Sequence, residues 1–553
     1  MGNTYDAQNS HAATTYDLAA MPNNGNMRTY CRPPKILRTA EVTMQQLQVV
    51  SYIHGEKCWP SVEKLAPCEE ACPIHQDVPS YVIAISQGKL KEARAIIRQT
   101  NPLPSVCGRV CHHPCETSCN REVVDEAVAI MWLKRLATDQ EVEKRPKRAK
   151  MTRQEKVAII GSGPAGLSAA YDLVRWGYPV TVYEGSPVAG GMLTTAIPDF
   201  ILPKEIVQAD IDYVRALGVD IRTTTWIRDL DYLWGRGFRA ILVSAGAQKS
   251  GELKIPGADL DGVLLALPLL REVKHGEKTK LHGKVVVIGG GNVAMDVART
   301  ALRLGANEVH VACLESRKDM PAFSWEIEVA EREGVKFHPS LAPQRFGSSD
   351  GSRVGFIDFK RVVSTQTDEH GRLTWELMEG PGSEYNMATV DSIIVAIGQG
   401  VDIGLNEKLT FNSGGGLLVD ADSMLTTVSG VFAAGDVINV VGTVSESIAA
   451  GRHAAGAIDR YLKGKDPKAT SPPRKEAARL EAEMVPAFLT RQPRWEMPAI
   501  SARDAIRGFG EVKTGYALWE GVEEAKRCLN CRTCSSCIFE RHQLCFETAT
   551  RIL

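Results

Sequence analysis

Two features of the sequence could do chemistry: cysteines gathered towards its two ends, and glycines gathered into loops between them. Of the fourteen cysteines in 553 residues, eight precede residue 120, five lie at 528–545, and only Cys313 falls between. Cysteines that merely fill a core are scattered. In a reducing compartment thiols do not pair as disulfides, so clustering of this kind points to metal binding or redox work. Thiolate is a soft ligand that selects zinc or iron–sulfur clusters. The run Cys107-x3-Cys111-x3-Cys115-x3-Cys119 would set thiols on successive helical turns, although Pro114 requires a break. Upstream stand Cys58 and the pair Cys68 and Cys72, the latter followed by Pro73 as in the closing Cys–Pro of ferredoxin runs. The tail reads Cys528-x2-Cys531-x2-Cys534-x2-Cys537 and then Cys545. Its last gap is one residue short of the ferredoxin pattern and no proline follows, so either Cys537 or Cys545 is open as a fourth ligand. His112 and His113 keep zinc open as an alternative in the first group, and zinc is an alternative at the tail as well.

The glycines lie in alternating strand and helix patterns. Residues 156–160 form a β-type run that ends in Gly161-Ser-Gly163-Pro164-Ala165-Gly166, followed by a helical stretch at 165–176 and a strand at 180–184. In such a loop the first glycine permits the turn, the second lets backbone approach a pyrophosphate, and the third lets helix pack on strand. Glu184, ending the next strand, is placed to accept from a ribose hydroxyl. The order recurs at 285–288, 293–304 and 309–314 around Gly289-Gly-Gly291-Asn292-Val293-Ala294, with Glu315 after the second strand. An acid there favours a free 2′-hydroxyl over a 2′-phosphate, which predicts NADH over NADPH; Arg317, two residues on, argues the other way. Two such units predict an α/β protein with a pair of Rossmann-like dinucleotide-binding domains.

Composition removes several classes. Sixty-five basic and 66 acidic residues leave a net charge of −1, without the footprint of a nucleic-acid binder. The basic stretch at 144–156 reads as a solvated linker. No apolar run approaches the ~18 residues of a membrane span; the longest, at 263–270, contains Pro268. The polar, Asn-rich start carries no secretory pattern, and a cytoplasmic location is the expectation.

Taken in order, Cys68-EEA-Cys72-Pro73, NPLPSVCGRVCHHPCETSC, GSGPAGLSAA, Gly190-Gly191-Met192, IPDFILPKEI, GGGNVAMDVARTALRLGA, MPA and AAGD resemble the small, electron-supplying subunit of bacterial glutamate synthase and its relatives. Those relatives include the large subunit of NADH-dependent ferredoxin:NADP oxidoreductase and the N-terminal part of dihydropyrimidine dehydrogenase. The resemblance runs from about Cys58 to Leu462, and the tail resembles EA-x-RCLxC extensions of some members. It implies a helical domain holding two [4Fe–4S] clusters, FAD on the first glycine loop and NAD(P)H on the second. It also implies that Asp436, after Gly435, bonds the flavin ribityl chain, with the helix starting near Thr443 facing the flavin. Gly246 and Gly398 fall in strand-end motifs where the chain crosses between domains. Carried over, Cys68 and Cys119 would serve one cluster and Cys72, Cys111 and Cys115 the other, with Cys107 as a replacement ligand. The family's early C-x2-C pair is missing, and Leu314-Glu315 stands where NADPH-using members have two arginines.

The expected organisation is a polar arm (1–40), a helical [4Fe–4S] domain (41–150), an FAD domain in two parts (151–281 and 396–465) around an NAD(P)H domain (282–395), a linker (466–502) and a cysteine-rich [4Fe–4S] module (503–553). The expected function is electron transfer between NAD(P)H, FAD and clusters, to or from a partner subunit or ferredoxin, with electron bifurcation as a narrower form. Alternatives are the glutamate synthase small subunit itself and a zinc-binding, NAD(H)-sensing scaffold. Disulfide reduction is disfavoured, because residues 120–527 hold no cysteine pair.

Overall fold

The structure, a computed structural model, describes residues 65–531 apart from 141–143, 278, 349, 368–372, 406–407, 439–441, 469–476, 478, 482–484 and 486–488. Cys31, Cys58, Cys534, Cys537, Cys545 and the predicted polar arm lie outside the described residues.

Hydrophobic runs bounded by glycine become strands buried on both faces, as parallel sheets require. The first sheet is five-stranded and parallel in the order Val431–Ala433, Phe238–Val243, Lys156–Ile160, Val180–Tyr183, Asp220–Arg222. The second, also parallel, runs Val263–Leu265, Ser392–Val395, Lys284–Ile288, Glu308–Ala312, Lys336–His338. An antiparallel set built on the long strand Val354–Thr367 packs against it. The chain leaves the first sheet after Val243 and returns at Val431. The crossing is a short antiparallel pair, Lys249–Ser250 with Gln399–Gly400, which follows the motifs at Gly246 and Gly398. The second domain therefore starts earlier than residue 282. Val263–Leu265 forms its edge strand, paired with Ile393–Val395 more than a hundred residues downstream, and Ala266–Lys274 is one of its helices.

Two helices back the first sheet. Pro164–Arg175 starts with proline at its first position, where a missing N–H costs nothing. Val444–Leu462 starts in a capping box between Thr443 and Glu446. Gly451 lets the two helices touch, for a Cβ there would lie 2.1 Å from the Ala165 carbonyl.

The N-terminal domain is helical, as the resemblance implies. Asp77 caps Val78–Ser86 by accepting from Ser80 N at 3.2 Å. The apolar period at 78–85 predicts one solvated face, yet seven of this helix's nine residues are buried. The reason is helix Leu518–Lys526, which lies against it, so the described part of the C-terminal segment packs on the helical domain. The return is held by charge. Glu524 is fully buried, accepts from Ala129 N (2.7 Å) and Trp495 N (3.0 Å), and pairs with Arg527 at 2.8 Å. Arg527 in turn reaches Asp125 at 3.0 Å, and Arg494 reaches Glu116 at 2.6 Å.

A second buried carboxylate joins the helical domain to the first nucleotide domain. Asp210 pairs with Arg98 at 2.8 Å and accepts from Ser105 N and Val106 N, capping helix Pro104–Val110 from across the chain. Removing one partner of a buried pair strands the other, so Asp210→Ala is expected to cost about 3–5 kcal/mol in denaturant unfolding. A change within 1 kcal/mol would show that Asp210 does not anchor the domain.

Candidate functional site

Both glycine loops open onto one cavity of about 1260 Å³. Single small-molecule sites run to about 300–1,000 Å³, so the space suits two dinucleotides better than one. From the first loop, Gly161, Gly163, Pro164 and Ala165 line it; from the second, Gly289, Gly291, Asn292 and Val293. Glu184, Gly191, Met192, Gly246, Glu315, Gly398, Gly435 and Asp436 complete the predicted lining. Gly161 adopts φ of 102° and a Cβ there would meet the Ser244 carbonyl at 2.4 Å; Gly289 repeats this with φ of 136° and the Ala396 carbonyl at 2.3 Å. In contrast, a Cβ on Gly163 or Gly291 would meet nothing within 4 Å. The first position of each loop is thus fixed by the neighbouring strand end, whereas the second presents bare backbone to the cavity, a cradle that fits a pyrophosphate.

Four predicted residues do not line the cavity. Gly166 packs helix on strand, since a Cβ there would stand 2.1 Å from the Gly161 carbonyl. Ala294 is buried in the core, and Gly190 donates its N–H to Ser162 Oγ at 3.0 Å. Arg317 points away, paired with Glu331 at 2.6 Å and stacked over Phe337. Of the two opposing signals after the second strand, only Glu315 reaches the cavity. Glu184 is engaged too: it accepts from Ser162 N (3.0 Å), Ser162 Oγ (2.5 Å) and Ser186 N (2.8 Å), so it braces the loop. Asp436 accepts from Ser447 Oγ at 3.1 Å, and burial, with Glu446 nearby, pushes its carboxyl up to about 6. Thr443, Val444 and Ser447 put the positive end of helix Val444–Leu462 into the same cavity. Trp226 and Trp375 also line it, exposed aromatic rings that no spacing in the sequence marks.

The thiols fall into two groups. Cys68, Cys119, Cys528 and Cys531 line one small hollow under Val78–Ser86. Burial raises the Cys68 thiol well above its usual range, and the charges of Cys528, Cys119 and Cys531 push it further. Cys72, Cys107, Cys111 and Cys115 form the second group, near the buried ammonium of Lys134. Burial raises Cys72, Cys107 and Cys115, Cys107 to about 12, while Lys134 pulls all three down. Tyr81 is fully buried beside both groups, and its hydroxyl has no hydrogen-bond partner among the described residues. Among those residues no three His, Cys, Asp or Glu side chains converge tightly enough for a single ion. Buried thiols ringing a wider space, with an unmatched O–H donor beside them, fit an iron–sulfur cluster whose sulfurs accept that hydrogen bond. His112 and His113 turn elsewhere. His112 lies 3.3 Å from Ser445 Oγ and stacks on Phe323, and His113 packs on Trp325.

Paired dinucleotide cradles on one cavity, beside a helical domain that concentrates thiols, define a nicotinamide-linked redox protein. The comparisons agree. The pyridine nucleotide-disulphide oxidoreductase family model matches residues 155–451, and a model described as dihydropyrimidine dehydrogenase domain II, 4Fe-4S cluster, matches residues 40–146. The beta subunit of NADP(+)-dependent formate dehydrogenase from Moorella thermoacetica is 37% identical over 84% of this chain and 70% of its own. The beta subunit of NADPH-Fe(3+) oxidoreductase from Geobacter sulfurreducens is 35% identical, over 94% and 83% respectively. The small chain of glutamate synthase [NADPH] from Azospirillum brasilense is 33% identical, over 72% and 86%. The chain belongs to the pyridine nucleotide-disulphide oxidoreductase family, in the group that includes the glutamate synthase small chain, and is an oxidoreductase with a 4Fe–4S domain before its dinucleotide domains. Among the described residues no helix is long and apolar enough to cross a membrane.

Tyr81 gives this site a test whose sign is informative. If its hydroxyl donates to cluster sulfur, Tyr81→Phe costs about 1 kcal/mol and lowers the potential of a cluster, read by redox titration. If nothing accepts from it, the same change stabilises the fold by about 1–3 kcal/mol, because an unsatisfied polar group is removed.

Proposed function

We propose that this chain passes electrons between NADH and a partner subunit or ferredoxin, through FAD in the first cradle and [4Fe–4S] clusters on the thiols. The supporting observation is adjacency. The loop from Cys111 to Cys115 carries His112, which touches Ser445 on the helix whose N-terminus lines the cavity. The second thiol group therefore lies next to the dinucleotide site, Tyr81 stands beside both groups, and the first group lies where the tail arrives.

Bound flavin supplies the conversion between paired and single electrons; the protein supplies binding, orientation and field. In this reading backbone N–H groups at Gly163 and Gly291 receive pyrophosphates. Asp436, held by Ser447, bonds the sugar-like chain of the flavin, and Thr443 and Val444 aim the helix dipole at the ring. Positioning carries the reaction, and no side chain is assigned as an acid or base. Two of the relatives are beta subunits, of a formate dehydrogenase and of an iron(III) oxidoreductase, which supports a partner subunit here.

The choice of NADH rests on Glu315. It lines the cavity beside the second loop, with its carboxylate 2.9 Å from where a Cβ on Gly290 would stand, while Arg317 is tied to Glu331. A carboxylate accepts from a free 2′-hydroxyl and repels a 2′-phosphate. The three relatives are named for NADP(H), so the choice is a specific one. Steady-state assays are expected to give a lower KM for NADH, and Glu315→Ser to raise that KM roughly tenfold or more, for a charged hydrogen bond of about 1.5–3 kcal/mol. A lower KM for NADPH in the unaltered protein overturns the nucleotide choice and leaves the electron-transfer reading in place. Anaerobically prepared protein lacking both flavin and iron overturns the reading itself.

A further inference from the structure

The hollow under Val78–Ser86 is lined by two cysteines from each end of the chain. Asn120, next to Cys119, donates its amide to Cys531 Sγ at 3.4 Å across 411 positions of sequence, and its carbonyl oxygen accepts from Leu480 N at 3.0 Å. We propose that Cys528 and Cys531 are ligands of the helical domain's own [4Fe–4S] cluster, completing a four-thiolate site with Cys68 and Cys119, and that they do not found a separate cluster in the tail. This rests on the reading that the helical domain holds clusters.

Three further observations carry it. Upstream of Cys68 the sequence offers only Cys58 and Cys31 and no C-x2-C pair, whereas Cys528-x2-Cys531 brings such a pair to the same hollow. The segment before Cys528 is anchored by groups that tolerate little displacement. Arg527, whose side chain is fully buried, pairs with Glu524 and Asp125, and its own carbonyl accepts from Arg121 at 3.2 Å. Arg121 follows Cys119 by two residues, so one network fixes both halves of the site. The other four thiols surround Lys134 and are not needed to complete this set.

On assembly each thiol forms one bond to iron and releases its proton to solvent; iron and sulfide come from cluster assembly, and no ligand changes oxidation state. The consequence is a covalent clasp across the chain. Closing so long a loop through iron gives stability that chelation removes.

The test uses the full chain, prepared anaerobically, with iron, acid-labile sulfide and flavin counted in four forms: unaltered, Cys68→Ser, Cys528→Ser with Cys531→Ser, and all three changes together. Each altered form is expected to lose one and the same cluster, the triple form losing no more than the others, with flavin retained. Additive losses, one cluster from each and two from the triple form, overturn the shared site while leaving the clusters. Iron-free unaltered protein overturns the underlying reading. A second measurement needs no variant: iron is stripped from the unaltered protein with a chelator, the freed thiols are oxidised, and disulfides are mapped by mass spectrometry. Peptides joining 68 or 119 to 528 or 531 are expected; disulfides confined within the tail overturn the proposal.

Discussion

Thiols in a dry interior constrain this molecule more than any other feature. Eight of the nine described cysteines fall in two groups, one buried and one half-buried, and for seven of the eight burial opposes the thiolate form that binding chemistry needs. A metal's positive charge reverses that balance. Several neighbouring oddities then share one cause. Lys134 is a buried ammonium with four thiols about it, Tyr81 is a buried hydroxyl without a partner among the described residues, and helix Val78–Ser86 is apolar on nearly every side between two thiol groups. The ammonium and the hydroxyl are costly beside a plain hydrocarbon core, and both become favourable beside an anionic cluster that accepts hydrogen bonds.

The dinucleotide half obeys a different constraint, that of backbone approach. Each glycine loop is pinned where its first glycine meets a strand-end carbonyl, of Ser244 or of Ala396. Those two carbonyls belong to the segments where the chain crosses between domains, so the crossing strands Lys249–Ser250 and Gln399–Gly400 set both cradles relative to one another. Helix Val444–Leu462 adds its dipole from the side and carries Ser445, which meets the cysteine domain at His112. One helix thus borders both the cavity and the thiols.

The sequence made much of this legible, for reasons that are local. Strand, glycine loop, helix and acid are neighbours in sequence, and both sheets form around 156–184 and 284–312 as their patterns predict. The misreadings are all non-local. The apolar run at 263–270 takes its context from a strand far downstream, Ser392–Val395, which pairs with Val263–Leu265. Arg317 has a position in the sequence that suits a phosphate, but Glu331 on a later helix claims it. The regular spacing of the tail cysteines suggests a module of their own, of which Cys528 and Cys531 are the described part. What places Cys528 and Cys531 beside Cys68 is a set of ion pairs in which Arg527, held by Glu524, reaches Asp125 some four hundred residues away, a contact that carries no periodic signal.

If both thiol groups are cluster sites in a protein that moves electrons from a nicotinamide cavity, iron must lie in each. The most direct measurement is an anomalous-difference map recorded at the iron edge, from crystals of the anaerobically prepared full chain. The account predicts one peak among Cys68, Cys119, Cys528 and Cys531 and a second among Cys72, Cys107, Cys111 and Cys115. A map without iron density in either group, with the thiols free or joined as disulfides, would contradict it.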